Sequence, residues 1–353
     1  LQAPCWARSA LAIAIQELIP ARFRGRTDLA INGSYWFGAA VGAGATLLLL
    51  DPQVLPAWLG WRTAFGIGAV LALGVLFLRR FLPESPRWLL MHGRLPEARR
   101  VAAEIEGRVE SSNGPLPPVP EGSIRLRARG GAGFADLAVT LLRTYPRRAV
   151  LGLSLMAAQA FLYNAIFFTY ALVLARFYQV PPERIGLYLL PFALANFMGP
   201  LVLGPLFDIV GRKVMITFTY AVSGMLLAGG GWLFAQGLLD AAGLTIAWTV
   251  VFFFASPAAS AAYLTVGESF PLETRALAIA LSYALGTALG GVAGPLVFGS
   301  LIGAGSRAGV FAGYLLAAGL MIGAALVELF LGLNAERRSL EDIAEPLAAA
   351  TDR

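Results

Sequence analysis

Eight apolar runs, roughly 29–50, 62–79, 149–175, 185–207, 214–236, 244–267, 276–302 and 309–333, dominate this chain. Crossing a bilayer as a helix takes about 20 predominantly apolar residues, and each run is of that order. Residues 9–20 read as the last turns of a ninth, cut at its start. Backbone polar groups in hydrocarbon must be satisfied within the segment, so runs of this length are helices. Composition agrees: 58% of the 353 residues are hydrophobic and 14% charged, with a mean hydropathy of +0.69. A soluble domain carries about 25% charged residues. The fold class is therefore an all-α membrane protein.

The loops between runs alternate in charge. One side collects Arg22, Arg24 and Arg26, the basic 79–148 segment, Arg212 and Lys213, Arg275, and Arg337 and Arg338. Only Arg8, Arg62, Arg176, Arg184 and Arg307 fall on the other. The positive-inside rule makes the rich side cytoplasmic. The C-terminus is then cytoplasmic and the first residues outside-facing, in a multi-pass protein of the cell (inner) membrane. The net charge of +6 and pI near 9.8 could suggest nucleic acid, but the cations sit in short clusters between apolar runs, which excludes that partner. One cysteine, Cys5, and one histidine, His92, exclude a disulfide framework and a His/Cys metal site. No metal or cofactor is expected. A membrane-embedded enzyme would need clustered nucleophiles, metal ligands or several intramembrane carboxylates, so no enzyme is expected either.

Residues 81–146 form the one long polar segment, with Pro115, Pro117, Pro118 and Pro120 marking a linker and helical spacing over 94–109. It divides the chain into 1–80, the 81–146 loop, a bundle over 147–333 and a tail over 334–353. An internal repeat crosses that divide. Glu17-x-x-Pro20-x-x-x-Arg24 recurs as Glu268-x-x-Pro271-x-x-x-Arg275, offset by 251, each at the cytoplasmic end of a run. The offset implies a parent of six helices plus six, with residues 1–80 completing a first bundle that begins upstream of Leu1.

Polar residues inside or beside the runs are the functional candidates. The stretch from Gly204 to Lys213 reads G-x-x-x-D-x-x-G-R-K and joins two runs by a short turn. Gly211 suits a turn with φ > 0, Asp208 can face the positive end of a neighbouring helix, and Arg212 anchors in the cytoplasm. Glu17, Arg24, Glu268 and Arg275 form two Glu/Arg sets where an unpaired carboxylate is costly. They read as a charge network that breaks and re-forms as two bundles rock, or as static ion pairs. Gln159, Tyr163 and Asn164 lie in the 149–175 run, Asn196 in 185–207 and Tyr263 in 244–267. Buried amides need hydrogen-bond partners, supplied either by a hydroxyl-rich ligand or by a neighbouring helix. Gly286, Gly290 and Gly294 form a stripe that reads as close helix packing. Glu328 is an acid well inside a run.

These motifs carry a resemblance. The Gly204–Lys213 loop resembles the loop signature of the major facilitator superfamily, in which that loop acts as a conformational latch. Pro83-Glu84-Ser85-Pro86-Arg87-Trp88-Leu89 resembles the sugar-porter signature of the same superfamily. Gln159-x-x-x-x-Asn164-Ala165-Ile166-Phe167 is similar to the sugar-binding helix of sugar porters, with departures at Ala158 and Leu162, and Tyr263 stands where those proteins have tryptophan. The resemblance runs from Glu17 to Ile343. It implies a major facilitator fold of two pseudo-symmetric six-helix bundles, with residues 1–80 holding the end of helix four and helices five and six. It implies transport of a small polar organic solute, a sugar or related metabolite, by alternating access and proton symport, in a monomer. Gln159, Tyr163, Asn164, Asn196 and Tyr263 would contact substrate. Glu17, Arg24, Asp208, Gly211, Arg212, Glu268 and Arg275 would form the gate. An exporter of the same superfamily and a non-transporting nutrient sensor are the competing functions. The repeat makes a prediction that reading the upstream sequence tests: a second G-x-x-x-D-x-x-G-R loop about 43 residues before Leu1.

Overall fold

The computed structural model describes residues 19–49, 51, 53–79, 84–91, 93–115, 138–345 and 347. Glu17, the truncated run at 9–18, Pro83 and the proline-rich middle of the linker lie outside the described residues. Among the described residues there are helices and no strands.

A single 3₁₀ turn, Ala21–Phe23, leads into α1 (Arg24–Leu49), followed by α2 (Ala57–Arg79). The linker contributes α3 (Pro86–Met91) and α4 (Leu95–Asn113). The large bundle comprises α5 (Pro146–Leu162), α6 (Tyr170–Tyr178), α7 (Pro182–Ile209), α8 (Arg212–Ala235), α9 (Ala241–Ser269), α10 (Leu272–Gly286), α11 (Val292–Gly303) and α12 (Arg307–Leu331). A four-residue helix, α13 (Leu340–Ile343), lies in the tail. Helices α5 and α6 form one span joined through a π-turn at Tyr163–Phe167, and α10 and α11 another through a π-turn at Thr287–Gly291.

Among the described residues, seven spans are long and apolar enough to cross a membrane. The run expected at 29–50 is the remaining helix, α1, and it is less apolar. Asn32, Ser34 and Tyr35 interrupt it, and Arg24, Arg26 and Asp28 occupy its first turns. At 26 residues it is still about 39 Å long. It lies along α7 and touches α9, so one face meets protein where a lipid-facing helix would meet hydrocarbon. By contrast, the 18-residue core of α2 has none of its residues buried, and Leu71, Val75 and Leu78 are exposed.

Aromatic and glycine packing sets the bundle core. Phe192 of α7 stacks on Phe167 with ring centroids 4.9 Å apart and meets Phe252 of α9 at 4.4 Å. Trp248 and Tyr314 pack edge-on at 4.9 Å, tying α9 to α12. The glycine stripe on α10 and α11 does what its spacing predicts. A Cβ on Gly286 would lie 2.8 Å from the Met156 side chain, on Gly290 2.3 Å from Phe161 N, and on Gly294 2.9 Å from Ala165 N. This glycine stripe therefore presses directly on the backbone of the α5–α6 span, an approach only glycine allows.

Prolines inside the central pair of helices leave carbonyls without their helical donors. Pro200 removes the donor for Asn196 O, and the Ser256 hydroxyl of α9 donates to that oxygen at 2.5 Å. Pro257 of α9 removes the donor for Phe253 O, and Gly199 of α7 lies so close that a Cβ there would be 2.1 Å from that oxygen. Each helix thus covers the carbonyl the other's proline exposes.

The helix expected over 94–109 forms as α4, and Leu89, Ala98 and Val101 make a small separate core with Ile105. Arg94 and Glu97 pair at its start at 2.5 Å, and that hydrogen bond holds the Glu97 carboxyl below the usual carboxylate range. Arg87 of the linker motif pairs with Glu341 of α13 at 2.9 Å, so the sugar-porter-like segment and the tail meet at the same end of the bundle.

Replacing Gly290 with valine is expected to cost roughly 1–3 kcal/mol by overpacking against α5. Gly319, which has nothing within 4 Å of a built Cβ, is the comparison. Thermal unfolding in detergent should show a lowered midpoint for Gly290→Val and an unchanged or slightly raised one for Gly319→Ala.

Candidate functional site

The basic end of the molecule holds a buried charge network built by five segments. Asp208, at the end of α7, accepts backbone hydrogen bonds from Gly25 N at 3.1 Å and Arg26 N at 2.8 Å. Those are orphan donors at the start of α1, where the helix dipole favours an anion. The same carboxylate takes Arg212 Nη1 at 2.6 Å. Arg212 then reaches Glu268 of α9 through Nε at 3.1 Å and Nη2 at 3.2 Å. Glu268 also pairs with Arg24 Nη1 at 3.4 Å. Asp208, Arg212, Glu268, Arg24 and Arg275 are all 5% exposed or less.

Two features of sequence make this geometry reachable. Gly211 has φ 122°, a conformation that favours glycine, and it turns the chain so that Arg212 folds back onto Asp208. Gly25 leaves room for the guanidinium: a Cβ there would stand 1.8 Å from Arg212 Nη1 and 2.6 Å from Asp208 Oδ1. The tail closes the network from outside. Arg338 O accepts from Arg24 Nη1 at 3.3 Å, and Glu336 Oε2 accepts from Arg212 N at 3.3 Å.

The repeat suggests pairing within each copy, Glu17 with Arg24 and Glu268 with Arg275. The structure instead gives Glu268 two ion-pair partners from elsewhere, Arg24 from the first copy and Arg212 from the loop. The reason is placement: both copies end at the same side of the molecule, so Arg24 of the first copy comes within 3.4 Å of Glu268, beside Arg212 at 3.1 Å. Beside this network a cavity of about 380 Å³ opens between Arg22, Arg26, Arg337, Phe23, Pro205 and Ile209.

Deeper along the same interface lie the amides and tyrosines. Tyr163 donates its hydroxyl to Asn196 Oδ1 at 2.6 Å, and Asn196 Nδ2 donates to Phe192 O at 2.9 Å. Asn196 is fully buried, with both side-chain groups satisfied by protein. Asn164 Nδ2 bonds back to Ala160 O of its own span at 2.8 Å, and a Cβ on Gly291 would sit 3.4 Å from it, so the two π-turns face one another. Gln159 makes a single long contact, Nε2 to Met156 Sδ at 4.0 Å. The Tyr263 ring packs against Tyr283 of α10 at 5.8 Å. The structure therefore joins Tyr163 to Asn196, leaves the amide of Gln159 weakly partnered, and sets Tyr263 against a different helix.

Three participants escape the sequence reading. Trp36 of α1 stacks on Tyr163 at 5.1 Å with planes 25° apart, bringing the first half to the polar patch. Asp28, which falls just before the apolar run begins, is completely buried, with Asn32 Nδ2 donating to Oδ2 at 3.1 Å and Oδ1 lacking a hydrogen bond. Ser256 ties α9 to α7 as described above. The signal for Asp28 was the i, i+4 pair Asp28/Asn32; Trp36 and Ser256 gave none. Glu328 of α12 is also fully buried, with neither carboxylate oxygen hydrogen-bonded.

This arrangement defines a multi-span helical membrane protein in which α1 meets α7 and α9 across an interface, charged at one end and polar–aromatic within. The chain belongs to the sugar (and other) transporter family, whose model matches residues 6–347. A solved proton:xylose symporter of the major facilitator superfamily, XylE, bound to 6-bromo-6-deoxy-D-glucose, superposes with a TM-score of 0.70 at 19% identity. That superposition covers 94% of this chain and 69% of the symporter, and it shows the major facilitator fold. Family and fold are those of transporters, which are not enzymes. Among curated relatives, the human proton myo-inositol cotransporter is 36% identical over 97 residues, 26% of this chain and 14% of that protein. The Escherichia coli K12 putative metabolite transport protein YdjK is 38% identical over 109 residues, 29% of this chain and 22% of that protein. Polyol transporter 5 of Arabidopsis thaliana is 57% identical over 51 residues, 13% and 9% of the two chains. The matched segments thus span between 9% and 22% of these relatives' own lengths.

Removing one member of a buried ion pair costs about 3–5 kcal/mol, whereas a partly exposed pair is worth roughly 0–1 kcal/mol. Glu268→Gln is therefore expected to lower the thermal midpoint in detergent far more than Glu341→Gln, whose pair with Arg87 is 22–33% exposed. Equal midpoints would show that the Glu268 network contributes nothing to the closed basic end.

Proposed function

We propose that this protein moves a small polar organic solute, a sugar or related polyol, across the membrane by alternating access, with proton symport as the energy source. The observation that carries this reading is the division of labour along one interface. At the basic end every charge of the latch has a partner, while farther in the Gln159 amide and the Asn164 carbonyl have spare hydrogen-bonding capacity beside the Trp36–Tyr163 stack. Neither amide is sealed among buried groups, so a solute hydroxyl can reach both and supply the missing partner.

In this reading the basic end is cytoplasmic by the positive-inside rule, and the protein is a monomer in the cell membrane with residues 1–80 and 147–333 in separate bundles. Arg24, Asp208, Arg212 and Glu268 hold the cytoplasmic gate shut. Arg275, equally buried, joins that gate, as does Glu17 by its place in the repeat. Gly211 acts as the turn that lets Arg212 swing. Gln159 and Asn164 take ligand hydroxyls, Tyr163 and Tyr263 supply ring faces, and Asn196 orients Tyr163. The names of the relatives, a myo-inositol cotransporter, a polyol transporter and a xylose symporter, fit a hydroxyl-rich solute. Ala158, Leu162 and Tyr263, where the pattern of sugar porters is broken, favour the second reading, an exporter of the same superfamily.

The test is uptake of labelled myo-inositol, xylose and glucose into proteoliposomes, with and without an inward proton gradient. Gradient-stimulated uptake of at least one is expected. Gln159→Ala should raise KM about 3- to 10-fold, the worth of one neutral hydrogen bond, without lowering the thermal midpoint. No uptake of any of the three, together with resistance to a toxic compound on expression, supports export instead.

A further inference from the structure

One face of α1 runs the length of the interface. Gly25 lies under the Arg212 guanidinium, Gly33 packs on Pro200, and Trp36 stacks on Tyr163. Asp28 and Asn32 occupy the same face between them, four residues apart and therefore one turn from each other. Asp28 lies about 6 Å along the axis from Arg24 and about 12 Å from Trp36, at 1.5 Å per residue. It is thus interposed between the charge latch and the polar–aromatic patch.

Its partners do not suit an anion. The carboxyl is 0% exposed, accepts one neutral amide hydrogen bond from Asn32, and has a second oxygen with no donor. No cation lies within ion-pair distance of it among the described residues. The charged groups on the elements packed around it are Asp208 of α7, Arg212 of α8 and Glu268 of α9, with Arg24 on its own helix, and these are engaged with one another. Burying a carboxylate without a counter-ion or a full set of donors is strongly unfavourable, so such a group takes up a proton. Glu328 is similarly bare, but it sits between α8 and α12 inside one bundle. Asp28 sits on the surface that must part if the halves separate.

We infer that Asp28 is a proton-binding site that couples protonation to the closed state of the basic end. With the latch shut, Oδ1 carries the proton. When α1 parts from α7 and α9, water enters from the basic side, the O–H bond breaks, and the proton leaves to that water while the electron pair stays on the carboxylate. The sign follows. The closed state binds the proton more tightly, so low pH favours closure and rising pH favours opening. This rests on the transport reading above but concerns one residue that the reading does not use.

Two measurements on the purified full chain in lipid test it. Infrared spectra at neutral pH should contain the C=O stretch of a protonated carboxyl that is lost in Asp28→Asn and kept, shifted, in Asp28→Glu. Hydrogen–deuterium exchange over residues 22–30 reports latch opening, because the Gly25 and Arg26 N–H groups are held by Asp208. After correction for the intrinsic rate, exchange in the wild type should rise with pH, in Glu328→Gln it should rise likewise, and in Asp28→Asn it should stay low and flat. Glu328 is equally bare and can give a band of its own, identified by its loss in Glu328→Gln. No carboxyl band lost between wild type and Asp28→Asn, or exchange that climbs with pH in that variant as in the wild type, overturns the inference. If the band and the pH-dependent opening both depend on Asp28 while a proton gradient drives no uptake, the inference stands and proton symport falls.

Discussion

Four side chains with opposite charges, Arg24, Asp208, Arg212 and Glu268, meet where the ends of four helices come together, and most of the molecule's architecture serves that meeting. Each charge alone would be prohibitive at 5% exposure or less. Together they form a chain in which Asp208 binds a helix start and a guanidinium, and Glu268 binds two guanidiniums. Such a chain tolerates little displacement. The φ of Gly211, the missing Cβ of Gly25 and the tail acceptors Glu336 and Arg338 O are all conditions for closing it. The network also joins chain segments more than two hundred residues apart, so it can form only after both have folded.

Below the latch, α7 and α9 behave as a unit because of their prolines. A proline in a helix interior ordinarily weakens it by about 3 kcal/mol or more. Here Ser256 donates to the carbonyl that Pro200 leaves bare, and Gly199 approaches the one that Pro257 leaves bare. This exchange fixes where Asn196 sits, and Asn196 in turn fixes the Tyr163 hydroxyl. Two of the five polar candidates are thereby committed to each other. The remaining capacity for a ligand is concentrated on Gln159, Asn164 and the ring faces.

What was legible in the sequence follows from what each feature depends on. Span lengths and the glycine stripe depend on local periodicity, and the structure places them where periodicity does. Asp208 at a helix N-terminus was legible because the turn motif constrains its own neighbourhood. The pairing of Glu268 with Arg24 was not, since repeated sequence points to partners within a copy and only the packed halves bring the two copies' ends together. Asp28 was hidden by the convention that a span starts where charge stops. Trp36 is one more apolar residue by sequence, and only tertiary packing sets its ring against Tyr163. The π-turns at 163–167 and 287–291 left no trace in composition, although they re-aim Asn164 by inserting an extra residue per turn.

The contrast between the two ends of the α1 interface bears on how such a device stores free energy. A latch whose charges are all paired is stable while shut, and opening it exposes ions to water, which offsets part of the lost Coulomb attraction. A pocket whose amides are under-bonded is the reverse, gaining when a hydroxylated solute or water supplies partners. A bound solute that draws α5 and α1 together at Tyr163 and Trp36 would therefore compete with the latch through a single rigid helix. Asp28 lies between those two sites on that helix, buried and without a counter-ion, where a change in its charge alters the cost of keeping the interface dry. Coupling of this kind needs no long pathway of contacts, only one helix whose two ends prefer different separations of the halves.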